Sequence, residues 1–343
     1  MTHLINESPY IKHSKVEEIC RAIIREKLDA ALLDRYEGAL LGVLVGDTQG
    51  LQYENMTADQ IRERRQGRPL VLEPFRRMNQ AYTADVDCPA GLGSDDSTQT
   101  ILLAESLIVD GFDPQQQFEA YREGFFSKKG IPFGENIGWG PSTIKKLEEP
   151  FLSTTLSAHS EGLITDGSLM RTAPITLWKR GTPSEIVRLA GIASAVTHNS
   201  PIAMELCSAY CLMLEDALAG KNQKEVLASI RARSNLFGRD TQEVLHTDFS
   251  TYQAPQSGKA MYHASTAFSV AIQAWLTSTT FEQAIDHAIS VGGDTDTNAA
   301  IAGALSGATY GKAAIPKRWL VLNCKERFER AALALLLRNN EVA

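Results

Sequence analysis

The chain has 343 residues, room for one large domain or two ordinary ones at about 150 residues each. Its 34 Lys and Arg face 41 Asp and Glu, a net charge of −7, which argues against a surface built to neutralise nucleic-acid phosphates. Hydrophobic residues at 43% and charged residues at 22% exclude a disordered or collagen-like chain. No apolar run approaches the roughly 18 residues that span a membrane. Residues 1–13 carry neither a basic nor an apolar signal region, so the expectation is a cytoplasmic protein with no nucleic-acid or membrane partner. Five cysteines, Cys20, Cys88, Cys207, Cys211 and Cys324, are few and odd in number for a disulfide framework and read as reduced thiols.

Apolar residues recur at three and four positions along most of the chain, and period-2 alternation is scarce, so the expected class is all-α. From Lys15 to Leu33, Val16, Ile19, Ile23, Leu28 and Leu32 fall on one face of an amphipathic helix. A second helix over Asp34–Gly50 carries Gly38, Gly42, Gly46 and Gly50 four residues apart, which leaves one face without side chains. Another backbone can approach closely there. Further helices are predicted at Ser97–Val109, Pro114–Phe125, Pro141–Leu147, Pro183–Val196, Pro201–Leu218, Lys224–Arg233, Ala264–Leu276, Phe281–Ser290, Asn298–Ala308 and Lys325–Leu337. Several open on proline, whose missing N–H costs nothing in a first turn. Loops are predicted over Met56–Gly93, Phe151–Thr165 and Arg239–Gly258. The expected organisation is an extension over residues 1–33 and one helical domain over 34–343.

Three segments concentrate carboxylates, hydroxyls and glycines: Gly46-Asp47-Thr48-Gln49-Gly50-Leu51-Gln52-Tyr53-Glu54, Gly93-Ser94-Asp95-Asp96-Ser97-Thr98 and Gly292-Gly293-Asp294-Thr295-Asp296-Thr297-Asn298. The second and third precede apolar helical runs, where a single Asp, Ser or Thr serves as an N-cap. Paired acids exceed what capping uses. If the segments converge, cations must lie between the carboxylates, and such hard oxygen ligands suit Mg²⁺, Mn²⁺ or Ca²⁺. If they do not, the acids cap helices and face solvent. An EF-hand is excluded because its required Gly and Glu positions are Ala299 and Leu305. A dinucleotide fingerprint fails at Asp96, and no P-loop or GxSxG segment occurs.

The order of five segments, GALLGVLVGDTQGLQYE, GSDDSTQTILLAESL, DGSLMRTAPI, AVTHNSPIA and GGDTDTNAAIAGALSGATYG, resembles the ADP-ribosylglycohydrolase family over about Tyr36 to Gly311. The resemblance implies a compact all-α fold around two Mg²⁺ or Mn²⁺ ions and cleavage of the glycosidic bond between ADP-ribose and a protein side chain. It assigns Ser94, Asp95 and Asp96 to one ligand group and Asp294, Asp296 and Thr297 to the other, with Asp296 bridging. Asp95, Asp96 and Glu54 are the candidates for the carboxylate that moves a proton, and spacing does not choose among them. Asp47 reads as a structural acid holding neighbouring backbone.

The same resemblance makes Asp166, Gly167 and Ser168 part of a substrate turn, with Asp166 in place of the family's Asn. His198 is expected near bound nucleotide, and Gly138, Trp139 and Gly140 are expected to line the site. Arg171 is either a buried ion-pair partner or a phosphate contact. Expected partners are an ADP-ribosylated protein, modified on arginine, and, if residues 1–33 form a binding arm, an ADP-ribosyltransferase toxin to which this chain gives immunity.

Overall fold

The computed structural model describes residues 29–79, 84–128, 130, 133, 136–151 and 164–341. Most of the helix expected over Lys15–Leu33, and most of the extension, lies outside these residues, as does 152–163 in the second predicted loop. The described chain is mostly helical.

Helix α1 (Ala30–Gly50) opens on Asp29, whose carboxylate accepts from the N–H groups of Ala31 and Leu32. It runs antiparallel to a helix of the C-terminal part, Thr295–Tyr310, with their glycine faces together. Gly38 lies against Gly307, Gly42 against Gly303, Gly46 against Ala299 and Gly50 against Thr295 and Asp296. A Cβ placed on any of these four α1 glycines would come under 3.0 Å from partner backbone. The four-residue glycine spacing therefore does what its geometry allows, and it brings the C-terminal end of α1 to the N-terminal end of its partner.

After α1 the chain makes a 3-10 turn, Leu51–Tyr53, and then α2 (Ala58–Arg65), held at its start by a Thr57–Gln60 capping box. Strands β1 (Phe75–Asn79) and β2 (Ala84–Cys88) pair antiparallel, with Phe75 opposite Cys88 and Asn79 opposite Ala84. Both α2 and the hairpin fall in the stretch 56–93 predicted as loop. The strands form the one named sheet among the described residues, an addition to a helical architecture rather than a layer of it. Phe75, Val86 and Cys88 join Leu51, Leu92 and Ile137 in a small apolar cluster beside the main core.

Helices α3 (Asp95–Asp110), α4 (Pro114–Ser127) and α5 (Pro141–Glu148) follow, close to their predicted spans. Helix α6 (Ala173–Lys179) was not anticipated. It is buried from Ala173 to Leu177, so it carries no polar face for a period to reveal. Helices α7 (Pro183–Ala195), α8 (Pro201–Leu218) and α9 (Gln223–Ala232) follow as expected. A further short helix, α10 (Arg239–Leu245), occupies the start of the third predicted loop. Helices α11 (Ala264–Leu276), α12 (Phe281–Ser290), α13 (Thr295–Tyr310, the partner of α1) and α14 (Lys325–Glu341) complete the order.

Helices α11 and α12 pack on α13, and α14 packs on α1 and α3. Arg327 of α14 reaches Glu105 of α3 through two bonds of 2.7 Å, an almost fully buried fork that holds the helices together. Cys207 and Cys211 are buried in α8 as small apolar side chains. Among the described residues no helix is long and apolar enough to cross a membrane.

Candidate active site

The three acidic segments converge where the end of α1 meets the starts of α3 and α13. Asp47, near the end of α1, is fully buried and accepts from Ser94 N at 2.8 Å, from Ser97 N at 3.1 Å and from the Ser97 hydroxyl. It thereby ties the first turn of α3 to α1. Ser94 caps α3: its Oγ accepts from Asp96 N at 3.2 Å and donates to Asp96 Oδ2 at 3.1 Å. At the other helix start, Thr295 donates to the Gly50 carbonyl at 2.8 Å, which fixes α13 to the end of α1.

Two groups of carboxylates result. Oxygens of Asp47, Asp96 and Asp296 lie within 4.8 Å of one another, and oxygens of Glu54, Asp294 and Asp296 do the same. Asp296 belongs to both. Glu54 is half-buried and the others are buried. Asp95 stands in neither group: its Oδ2 accepts from Gln99 Nε2 at 2.6 Å, one helical turn on. Asp47, expected only to hold backbone, both holds it and faces the acids. The hydroxyl of Thr297 is buried, 3.9 Å from Met170 Sδ.

Electrostatics are severe. Burial first, and then the charges of Asp47, Asp296 and Asp95, push the Asp96 carboxyl well above the usual range. Burial, and then Asp166, Asp296 and Glu54, do the same to Asp294. Burial raises Asp47 to about 6 although four donor interactions oppose it. Helix starts at α3 and α13 supply positive dipole ends, each worth only about 0.3–1 kcal/mol, too little to hold these charges together. Among the described residues, buried Asp96 Oδ1 and Asp166 Oδ2 find no hydrogen-bond partner. Such a cluster is satisfied by divalent cations, and its all-oxygen donor set suits hard ones.

The turn Asp166–Ser168 forms a 3-10 turn beside this cluster. Asp166 is buried, and its carboxyl is raised by burial and then by the charges of Asp296 and Glu54. Gly167 lies over His198, where a Cβ would stand 3.0 Å from the ring. His198 is fully buried; its Nε2 is 2.9 Å from Thr165 Oγ1 and its Nδ1 is 2.8 Å from Thr197 Oγ1. Burial and the neighbouring Arg171 charge lower it to about 3, so the ring is neutral. Ser168 is buried and its hydroxyl accepts from Ser194 Oγ at 2.8 Å.

Gly138, with φ of 90°, lies directly on Asp95: a Cβ would strike Oδ1 and stand 3.0 Å from Ser94 Cβ. Trp139 is 4% exposed and packs on Phe125 with ring centroids 5.3 Å apart, as a core residue under the site. Gly140 is the N-cap of α5. Among the described residues Arg171 contacts no carboxylate. It donates to Gln99 Oε1 and to Thr197 Oγ1, the latter at 2.6 Å, and lies 4.5 Å from the Tyr121 ring centroid.

Sequence reading missed Gln99, Thr197 and Tyr262. Gln99 carried a signal, since it stands four residues after Asp95 on a predicted helix. Tyr262 carried none. Its hydroxyl donates to Asn55, and burial followed by the charges of Asp294, Glu54, Asp296 and Asp166 pushes the phenol up, which places it at the edge of the acidic cluster.

The family profile described as ADP-ribosylglycohydrolase matches residues 28–342. The chain is 26% identical over 298 residues to ADP-ribosyl-[dinitrogen reductase] glycohydrolase of Rhodospirillum rubrum, covering 84% of this chain and 89% of that one. It is 29% identical over 301 residues to ADP-ribosylarginine hydrolase Tri1 of Pseudomonas putida (strain GB-1), covering 84% and 74%. A solved structure described as an ADP-ribosylglycohydrolase-related protein complex superposes with a TM-score of 0.70 at 31% identity, covering 90% of this chain and 99% of that one. With its buried acidic groups at the meeting of α1, α3 and α13, the chain belongs to the ADP-ribosylglycohydrolase family of hydrolases.

Proposed function

We propose that this hydrolase cleaves the N-glycosidic bond between ADP-ribose and an arginine side chain of a modified protein, using two Mg²⁺ or Mn²⁺ ions. The observation that carries the reading is the pair of buried carboxylate groups sharing Asp296. Ser94, Asp95, Asp96, Asp294, Asp296 and Thr297 are the proposed ligands, with Glu54 joining at the rim. The preference for arginine is supported by the relatives whose names carry that acceptor or an ADP-ribosylated protein.

When bound, the cations supply Lewis-acid polarisation and orient ribose hydroxyls and water. The chain supplies the rest. One carboxylate among Asp95, Asp96 and Glu54 takes a proton from the attacking water, whose oxygen joins the ribose anomeric carbon as the bond to the guanidine nitrogen breaks. The departing guanidine takes up a proton, and ADP-ribose leaves with a free anomeric hydroxyl. Neighbouring carboxylates stabilise the positive charge that develops on the ribose. The turn of Asp166, Gly167 and Ser168 holds the ADP-ribose, backed by neutral His198, and the bare backbone of Gly138 and Gly140 with buried Trp139 beneath forms the adjoining wall.

Purified protein is to be incubated with arginine-, serine- and O-acetyl-linked ADP-ribose, with Mg²⁺ or with chelator. The expected outcome is Mg²⁺-dependent release from arginine, abolished in an Asp95→Ala, Asp96→Ala variant. No release from any acceptor overturns the reading. Residues 1–33 are proposed as an arm ahead of the catalytic domain of 34–343; because α1 already begins at Ala30 with Asp29 as its cap, deletion of residues 1–28 should leave hydrolysis intact and weaken binding to a transferase toxin, measured by calorimetry.

A further inference from the structure

Arg171 is a buried cation behind the acidic cluster, and no ligand or catalytic role accounts for it. It is 1% exposed, on the turn between the substrate turn and α6, and a guanidinium so placed needs compensation. The acid it reaches is one residue removed. Arg171 Nη1 donates to Gln99 Oε1, and Gln99 Nε2 donates to Asp95 Oδ2 at 2.6 Å. Because a guanidinium only donates, it forces the Gln99 oxygen toward itself and the amide nitrogen toward Asp95. With Gly138 seated on Oδ1 and Gln99 bonded to Oδ2, the Asp95 carboxylate is fixed in rotation.

The second branch runs the other way. Arg171 Nη2 donates to Thr197 Oγ1 at 2.6 Å. With Arg171 occupying one lone pair of Thr197 Oγ1, the Thr197 hydrogen is free to go to His198 Nδ1, 2.8 Å away, an arrangement in which the neutral ring carries its hydrogen on Nε2 and donates to Thr165 Oγ1 at 2.9 Å. Thr165 is the residue that opens the Asp166–Ser168 turn, and Gly167 rests on the same ring. One guanidinium thus anchors two hydrogen-bonded chains, one ending on a site carboxylate and the other on the substrate turn.

We propose that Arg171 is a positioning residue that sets, from behind the site, both the rotation of Asp95 through Gln99 and the tautomer of His198 through Thr197. Its two branches divide its work: the Gln99 branch serves the bond-breaking step and the Thr197 branch serves substrate binding. The inference rests on the hydrolase reading for its kinetic consequences, whereas the tautomer and metal affinity are read without turnover.

The test compares Gln99→Met, Thr197→Val and Arg171→Met with the wild-type full chain. The readouts are kcat and KM on ADP-ribosylarginine protein, Mn²⁺ affinity by calorimetry, and the His198 tautomer by long-range ¹⁵N NMR, its signal identified by loss in His198→Gln. Wild type is expected to show the Nε2–H form. Gln99→Met should lower kcat or Mn²⁺ affinity roughly 10–100-fold, the usual cost of losing a partner behind a ligand, and keep that tautomer. Thr197→Val should lose the tautomer preference and raise KM several-fold at unchanged Mn²⁺ affinity. Arg171→Met should show both; if it fails to fold, the two single-branch variants carry the test, because each leaves Arg171 in place. Folded Gln99→Met and Thr197→Val variants with wild-type kinetics, Mn²⁺ affinity and tautomer overturn the proposal, as does an Nδ1–H ring in wild type. Absence of hydrolysis in wild type, with the tautomer and Mn²⁺ differences present, overturns the hydrolase reading instead.

Discussion

Asp296 is the residue on which the site turns, because its carboxylate is common to both acidic groups. Asp296→Asn removes one charge from each group at once. It is expected to weaken Mn²⁺ binding by more than the roughly 100-fold that loss of an outer partner costs, measured by calorimetry. The metal-free variant should melt higher than the metal-free wild type, since a repulsive charge has gone. Equal Mn²⁺ affinity in the two proteins would refute the shared role. The same repulsion gives a pH dependence with a definite sign. Asp47 has a folded pKa of about 6 against an ordinary 3.8, so its contribution to stability is complete below about 4 and is lost as pH rises through 6. Asp96, Asp166 and Asp294 are raised in the same direction. Metal-free protein is therefore expected to lose stability from pH 4 to above 6, by roughly 3 kcal/mol from Asp47 alone, in chemical denaturation. A metal-free stability that rises across that window would contradict the buried, uncompensated cluster. Spacing does not choose the proton-moving carboxylate among Asp95, Asp96 and Glu54, because it says nothing of which oxygen faces a substrate; the structure separates Asp95 and Asp96 by partner, Asp95 on Gln99 and Asp96 on Ser94.

At the scale of elements, the α1–α13 pair is what aligns the acids. Its glycines are a face read correctly from spacing alone, since a helix with Gly at every fourth residue offers bare backbone whatever the partner. Gly42→Ala or Gly46→Ala places a methyl against backbone that cannot rotate away, and should destabilise by about 3 kcal/mol or more in urea denaturation. Gly140→Ala, with no atom within 4 Å of the new methyl, should cost far less. Equal effects at the two kinds of site would mean that the helices can move apart. The long helices were legible because each has an apolar face. Helix α2 was not, because Ile61 is its one buried side chain, and α6 was not, because burial on all sides erases the period. The hairpin was hidden because a two-stranded ribbon at the rim of the core needs few apolar residues, and its stability comes from Leu51, Leu92 and Ile137 elsewhere in the chain.

For the molecule as a whole, the acidic excess in the composition divides into surface charge and a buried cluster whose mutual repulsion opposes folding. Saturating Mg²⁺ or Mn²⁺ should raise the melting temperature, by the equivalent of about 2.7 kcal/mol at one hundred times the dissociation constant, and chelator should reverse it. An unchanged melting curve would show that the acids are held without metal. The sequence by itself determined the helical class, the glycine face and the three acidic segments, because each is a local pattern written in spacing and residue type. Only the tertiary structure decided that Asp47 joins the acids, that Trp139 is core and that Arg171 stands behind both branches of the site. Those outcomes depend on which side chains meet across 14 to 249 residues of chain, as between Phe125 and Trp139 or between Asp47 and Asp296, and no local pattern encodes the partner a side chain finds after packing.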